Sequence, residues 1–325
     1  MIHSCLGWLK NKKLLLQWFV TLVILALIIR FFLNNQDKLR LLSQIKPRYI
    51  FYLLSLHVVV LFLHATRFSL LASMFTTKKF THTEWYHIFF VGRLLNMFVS
   101  QGGNIYRTFA LKSRYGLSHT HYIGCFLAFA WLDTSVNFFL ATISIAVMNP
   151  TLTLYNVNAL SVLLPLSVVV FMSPFLVVLL ISRINLPGRV LKKITEITSI
   201  ALSCCQKAVS DRKIITKFLA LGILSFGITI TLLGISFISI GVSLSLSHLA
   251  FLYAIYKTSI YIMVTPGNLG IRELFVEVLS QSVGIPPGNG LLSSIIIRIS
   301  GYLAMVGTIA LMSTIRFAKK KINMK

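Results

Sequence analysis

The chain has 325 residues, of which 56% are hydrophobic and only 12% are charged, and its mean hydropathy is +0.83. Soluble domains carry about 25% charged residues, so the composition excludes an ordinary soluble fold and predicts an all-α integral membrane protein. The net charge of +24 comes from basic residues that concentrate between the apolar runs. That placement is typical of loops near anionic lipid head groups, and we do not expect nucleic acid as a partner.

Six apolar runs are long enough to span a bilayer as helices. In chain order they cover residues 14–33, 49–75, 121–148, 158–182, 214–241 and 291–315. Two further regions are interrupted, 87–116 by QGGNIYR and 248–284 by TPGNLGIRE. The first run follows a basic segment but is too long for a signal peptide and lacks a small-residue cleavage site, so we predict an uncleaved first helix.

The distribution of basic residues predicts that both termini are cytoplasmic, in a multi-pass protein of the cell inner or plasma membrane. The linker 183–217 and the tail after residue 315 are basic, which predicts a cytoplasmic position for both. The connections 149–157 and 242–247 carry no charged residue and are predicted to lie outside. Segment 34–48 is basic yet is placed outside by this orientation, and it is the one exception to the rule.

In this orientation the two interrupted regions enter the membrane from opposite sides. We therefore predict a polytopic helical bundle that forms a single transmembrane domain, 1–325, with inverted halves at about 1–150 and 158–315. Each half contains a broken, re-entrant helix pair, an architecture found in many secondary transporters. Irregular backbone at membrane depth is tolerated only where protein or a watery cavity surrounds it, so both breaks are expected to face the interior.

The stretch PGNLGIRE contains the residues expected of a helix break followed by a helix start. Pro266 disfavours helix at the residue before it, while Gly267 and Gly270 permit positive φ. A helix that restarts near Leu269–Ile271 would present free amides and the positive end of its dipole to an anion. Arg272 adds a full charge there. The alternative is a plain helix break with a local ion pair.

The interrupted region of the first half has a parallel pattern. Gly102 and Gly103 stand at its break, and Arg107 follows QGGN as Arg272 follows PGN. We expect the two arginines to face a common site from opposite sides.

The stretch PGNLGIRELF, with Gly284 and with Arg298 in SSIIIRISGYL, resembles the C-terminal signature of the flippase-like transmembrane region of lysylphosphatidylglycerol synthases. Asn268 stands where the family pattern has glycine. In the first half, QGGNIYRTFALKSRYGLS is similar to a Pro-containing Gly-Gly-Glu…Arg segment, with Gln101 at the proline and Asn104 at the glutamate position. FAWLDTSVNFF contains the Leu-Asp pair of the family, with Trp131 where a basic residue is common.

The resemblance covers residues 14–315 and implies an integral membrane protein that moves a lipid head group between leaflets. Synthase members carry a separate soluble aminoacyl-transferase domain. This chain ends at Lys325, soon after its last predicted helix, so we expect no aminoacyl transfer and no enzymatic activity.

Charged residues inside membrane segments cost roughly 2.5–3.5 kcal/mol on insertion scales, so each one needs a physical reason. We expect four cations to contact a lipid phosphate: Arg107, Lys257, Arg272 and Arg298. For Arg298 a structural pair with Glu273 or Glu277 is the alternative, and for Lys257 it is snorkelling towards the interface. We expect Asp133 to form a buried pair with Arg67, Arg93 or Arg107, and a proton-coupling role is its alternative.

These residues favour a lipid translocator whose partners are membrane lipids, either an anionic phospholipid or a prenyl-phosphate-linked sugar. The first alternative is a non-transporting accessory protein for envelope polysaccharide or lipid modification, working with biosynthetic partners or as a homo-oligomer. The second is an intramembrane enzyme with Asp133, Glu273 or Glu277 as its base. No hydrolase or nucleotide-binding motif is present, and no metal or other cofactor is predicted.

Overall fold

The computed structural model describes residues 22–23, 26, 29–33, 36–76, 78–99, 101–154, 156–181, 188–259 and 265–322. Within these residues the chain is helical apart from one antiparallel hairpin, in which Thr153–Leu154 pairs with Val157–Asn158. The predicted all-α membrane fold is therefore confirmed. Most of the predicted first span, 14–33, lies outside the described residues.

The named helices follow one another along the described chain. They are α1 (Gln36–Ser43), α2 (Pro47–Ala72), α3 (His82–Phe98), α4 (Gly102–Tyr115), α5 (His119–Met148), α6 (Ala159–Ile181), α7 (Gly188–Ser210), α8 (Arg212–Ile238), α9 (Leu246–Ser259), α10 (Ile271–Ser282) and α11 (Asn289–Ile322). Short 3₁₀ turns at Ser73–Phe75 and Pro266–Asn268 follow α2 and precede α10. Five of the described helices, α2, α5, α6, α8 and α11, are long and apolar enough to cross a membrane, and they match five of the predicted runs.

Local chemistry sets where several of these helices begin and end. Pro47 lies in the first turn of α2, where its missing N–H costs no hydrogen bond. The Asp211 carboxylate caps α8 by accepting from the backbone amides of Lys213 at 2.9 Å and Ile214 at 3.2 Å. Helix α4 ends at Gly116, whose φ of 72° is unfavourable for other residues.

The two interrupted regions form short helix pairs, α3–α4 and α9–α10, as the sequence predicts. The 12 residues of α10 reach only about 18 Å along their axis, which is well short of a bilayer core. Helices α2, α3 and α5 pack on α8, α9 and α11, so the two predicted halves are in contact with each other. The inverted orientation of the halves and the side of each loop stay predictions.

The α3–α4 pair depends on glycine at two facing positions. A Cβ atom on Gly103 would lie 1.5 Å from the carbonyl oxygen of Gly92, so the two helix backbones are in direct contact. The Gly103 amide donates to the side-chain oxygen of Asn96 at 2.7 Å, which gives the first turn of α4 an acceptor. This close contact brings the side chains that follow QGGN against the inner face of α3.

Trp131 compensates for a proline in the neighbouring helix. Pro174 lies inside α6 and cannot donate to the carbonyl of Val170, four residues before it. The Trp131 indole N–H donates to that carbonyl at 3.1 Å. The residue that departs from the common basic position therefore adds a donor to a carbonyl that also accepts from the Ser173 hydroxyl at 2.7 Å.

The described part of the basic linker, 188–217, contains α7 and the first residues of α8. Helix α7 packs along the start of α5, where Cys125 and Cys204 bring their sulfur atoms to 3.9 Å and both side chains are buried. Helix α7 therefore contacts protein along this part of its length.

We predict that Gly103→Ala destabilises the protein strongly, because its Cβ would overlap the backbone of Gly92. Overpacking costs about 1–3 kcal/mol even when side chains can relax, and backbone relaxes less easily. Gly227→Ala in α8 is the matched control, since nothing lies within 4 Å of its added Cβ. Thermal unfolding in detergent, followed by size-exclusion chromatography, measures both, and a Gly103→Ala protein that melts with the wild type would contradict the α3–α4 contact.

Candidate functional site

The two helix breaks lie against each other in the interior. The turn Pro266–Asn268 packs on the last residues of α3, where a Cβ on Gly267 would lie 3.1 Å from the carbonyl oxygen of Met97. Gly267 and Gly270 have φ values of 59° and 83°, which only glycine adopts without strain. The sequence therefore predicts correctly that these glycines serve positive φ, and the break is covered by protein.

Arg298 on α11 holds the second break in shape. Its terminal nitrogens donate to the carbonyl oxygens of Gly267 and Asn268, each at 3.0 Å, and its Nε forms an ion pair with Glu273. The Glu273 carboxylate also accepts from the Gly270 amide at 2.7 Å, at the start of α10. The structural alternative for Arg298 is thus the one observed, since it pairs with Glu273 and donates to two carbonyls of the second break.

Glu277 binds backbone amides instead of pairing with Arg298, which was one of the alternatives for it. Its carboxylate accepts from the backbone amides of Gly288 at 2.6 Å and Leu291 at 2.9 Å, at the N-terminus of α11. A carboxylate in this position satisfies free amides and offsets the helix dipole. The pair of Glu277 with Arg298 is not present.

Asp133 in α5 binds two cations that come from different halves. It forms ion pairs with Arg67 of α2 and with Lys257 of α9, where the Nζ–Oδ2 distance is 2.6 Å. The pair with Arg67 is one of those predicted, whereas the pairs with Arg93 and Arg107 are not formed. Lys257, which the sequence places at a phosphate or at the interface, is instead a buried partner of this carboxylate.

Three of the buried or partly buried arginines form no ion pair with any carboxylate of the described chain: Arg93, Arg107 and Arg272. Arg107 is buried, its Nε donates to the Gly103 carbonyl at 3.3 Å, and its guanidinium lies 5.0 Å from the centre of the Phe89 ring. Arg272 lies 4.3 Å over the ring of Tyr256, and its buried Nε has no hydrogen-bond partner.

Arg93 lies on the helix that contacts both breaks. It follows Gly92, whose added Cβ would lie 2.5 Å from Arg107 Nε, and it lies one helical turn before Met97, which contacts the second break at Gly267. The sequence offers Arg93 only as a partner for Asp133. The sequence nevertheless contains a signal for the role of Arg93, because this residue is a cation within an interrupted helix and beside a glycine.

A family model, described as the lysylphosphatidylglycerol synthase TM region, matches residues 18–308. The chain belongs to this family. No curated protein and no solved structure matches it. Membership confirms the resemblance carried by PGNLGIRE and places the protein in the handling of membrane lipids, as a multi-pass membrane protein.

The departure from the family pattern at Asn268 has a structural reason. Its φ is 54°, a left-handed conformation that asparagine tolerates better than most other residues. Its side-chain amide donates to the carbonyl of Ser259 at 2.7 Å, at the end of α9. Glycine, the residue of the family pattern, could adopt the same backbone conformation. Asparagine in addition caps the end of α9.

The first-half departures are also explained by local geometry. Gln101 has a φ of 65°, which proline cannot adopt because its ring holds φ near −65°. The Asn104 amide donates to Gln101 Oε1 at 2.5 Å, and its oxygen accepts from the Tyr122 hydroxyl at 3.1 Å. This break is therefore stabilised by neutral groups, and it brings no carboxylate towards Arg107.

A groove of about 480 Å³ runs between α4 and α5 beside the first break. Polar residues of the break, Gln101 and Asn104, lie on its wall together with Tyr122. Its remaining length is mostly apolar, with Ile105 and Phe109 largely exposed on the protein surface.

We predict that Asp133→Asn is far more destabilising than Lys257→Met. The first change leaves Arg67 and Lys257 buried without an anion, and breaking a buried pair from one side costs about 3–5 kcal/mol. The second leaves Asp133 and Arg67 as a balanced pair. Melting temperatures of the two purified variants in detergent give the order, and equal losses would show that Asp133 does not hold both cations.

Proposed function

We propose that the protein moves the head group of an anionic lipid, or of a lipid-linked sugar, across the cytoplasmic membrane while the chains stay in the bilayer. The observation that carries the proposal is the group formed by Arg93, Arg107 and Arg272, which no described carboxylate neutralises. A full charge within a membrane is costly unless it meets an opposite charge. A lipid phosphate would supply the missing anion.

The geometry of these arginines suits a phosphate. Arg93 and Arg107 come from the two helices of the first broken pair and Arg272 from the second, so the group lies where the breaks meet. A guanidinium presents several N–H donors in a planar fork that matches phosphate oxygens. Tyr256 and Phe89 stack on two of these cations and leave their edges as donors.

The paired cations have a positioning role in this proposal. Arg298 shapes the second break through Gly267 and Asn268, and Lys257 joins α9 to α5 through Asp133. Alternating access by movement of one repeat against the other requires such contacts between the halves. The site is therefore expected at the contact that changes most during transport.

The groove between α4 and α5 offers a place for the lipid chains. Its polar wall at Gln101 and Asn104 lies beside the first break, and its apolar wall opens towards the bilayer. A lipid there would keep its chains in an apolar environment while its head group enters the interior. This arrangement supports movement of the head group alone.

We propose that the protein is not an enzyme. The carboxylates considered as bases are all engaged: Asp133 with two cations, Glu273 with Arg298, and Glu277 with backbone amides. A general base needs a lone pair free to take a proton from the substrate. Their occupancy favours transport or accessory work over intramembrane catalysis.

We predict that Arg107→Gln and Arg272→Gln each lower lipid translocation by at least about tenfold, since a hydrogen bond to a charged group contributes about 1.5–3 kcal/mol. The assay follows the transbilayer movement of fluorescent anionic lipids in vesicles that contain the purified protein. Arg114→Gln is the matched control, because Arg114 is 46% exposed and pairs with Glu84 at the surface.

If neither interior variant changes transport at equal incorporation, the arginine group is not the site. If the wild type moves no lipid at all, the accessory function becomes the better explanation of the same fold.

A further inference from the structure

We infer that the head group is an amine-free polyanion, either a diphosphate or a phosphomonoester, and not a phosphodiester with a single charge. The inference rests on the proposed function, whose substrate class it narrows. The evidence is the distribution of positive and negative side chains in the described interior. In the described parts of helices α2 to α11, the buried or partly buried cations are Arg67, Arg93, Arg107, Lys257, Arg272 and Arg298.

Carboxylates neutralise only some of these cations. Asp133 is shared by Arg67 and Lys257, and Glu273 neutralises Arg298. Glu277 faces the amides at the start of α11 and forms no ion pair with a cation of the described chain. Arg93, Arg107 and Arg272 are therefore left with three positive charges and no protein anion of their own.

The arginines also lie on elements that contact one another. Gly92 packs against the Arg107 side chain, and Met97, on the same helix as Arg93, contacts the second break at Gly267. Three like charges on these elements cost free energy unless an anion lies among them. A phosphodiester brings one negative charge and would leave most of the repulsion in place. A phosphomonoester carries about −1.5 to −2 at neutral pH, and a diphosphate offers two adjacent phosphates to guanidinium groups on different helices.

The unpartnered Nε of Arg272 is a second, independent observation. This N–H is buried and has no acceptor in the described chain, whereas buried donors are nearly always satisfied. An oxygen-rich ligand that approaches over the Tyr256 side of α10 would provide the acceptor. A singly charged head group held by Arg93 and Arg107 alone would leave this donor unsatisfied.

The same arrangement disfavours head groups that carry amines. An ammonium group needs a carboxylate or a set of free acceptors, and in the part of the chain that the structure describes each interior carboxylate already has partners. An aminoacylated phosphatidylglycerol would bring its ammonium groups next to uncompensated arginines. The protein is thus expected to bind such a lipid more weakly than its unmodified parent.

The test is a binding series on the purified full-length protein in neutral detergent at pH 7.5, with affinity read from the ligand-dependent rise in melting temperature. The lipid probes are farnesyl diphosphate and the dioctanoyl forms of phosphatidate, phosphatidylglycerol and lysylphosphatidylglycerol. Inorganic diphosphate is included to separate a lipid-linked group from a free one. Arg93→Gln is compared with Arg93→Lys, which keeps the charge, and with Arg114→Gln at the surface.

We expect farnesyl diphosphate and phosphatidate to bind at least about tenfold more tightly than phosphatidylglycerol, which is the effect of one further charged hydrogen bond. Lysylphosphatidylglycerol should bind most weakly of the lipids, and inorganic diphosphate more weakly than farnesyl diphosphate. Arg93→Gln should abolish the preference, Arg93→Lys should keep part of it, and Arg114→Gln should keep all of it. The wild-type ranking stands as a test even where a variant folds poorly.

Equal affinity for phosphatidylglycerol and the polyanions, or tightest binding of the lysylated lipid, would overturn this inference and leave the proposed transport intact. Equal binding of inorganic and farnesyl diphosphate would overturn the assignment to a lipid. A ranking that holds while vesicles show no lipid movement would instead overturn the proposed function and keep the head-group assignment.

Discussion

The structure depends on one constraint, which is that a positive charge inside a membrane needs an anion. The described parts of helices α2 to α11 contain six buried or partly buried cations and three buried carboxylates, so the placement of each carboxylate decides which cations are neutral. Asp133 ties α2 to α9, and Glu273 and Arg298 tie α10 to α11. The cations that remain are the ones that we propose bind the lipid head group.

The helix breaks follow from the same constraint applied to the backbone. A break at membrane depth exposes carbonyls and amides that lipid cannot satisfy. Here Arg298 donates to the carbonyls of Gly267 and Asn268, and Asn268 donates to the end of α9. These side chains satisfy backbone carbonyls of the second break, so the break can form one side of the proposed ligand site. The first break achieves the same with Gln101 and Asn104 and without charge.

Much of the architecture is readable in the sequence because it follows from local pattern. The apolar runs predict five of the observed spans, and PGNLG and QGG predict both breaks, since proline and glycine act on their own backbone. The motif PGNLGIRE also indicates the family. Arg107 and Arg272 are identified from their position after each break, and the structure leaves both without a carboxylate. The exchange of proline for Gln101 becomes intelligible only once its positive φ is seen.

The sequence by itself determined that this is a helical membrane protein of the lysylphosphatidylglycerol synthase transmembrane family, with two broken helix pairs and an excess of interior cations. Only the tertiary structure decided which cations are neutralised. It paired Lys257 with Asp133, engaged Arg298 with the second break, gave Glu277 to the amides of α11, and left Arg93, Arg107 and Arg272 without an ion pair in the described chain. The physical reason is that a helix pattern fixes which face a side chain occupies, whereas ion pairing depends on contacts between helices far apart in the chain.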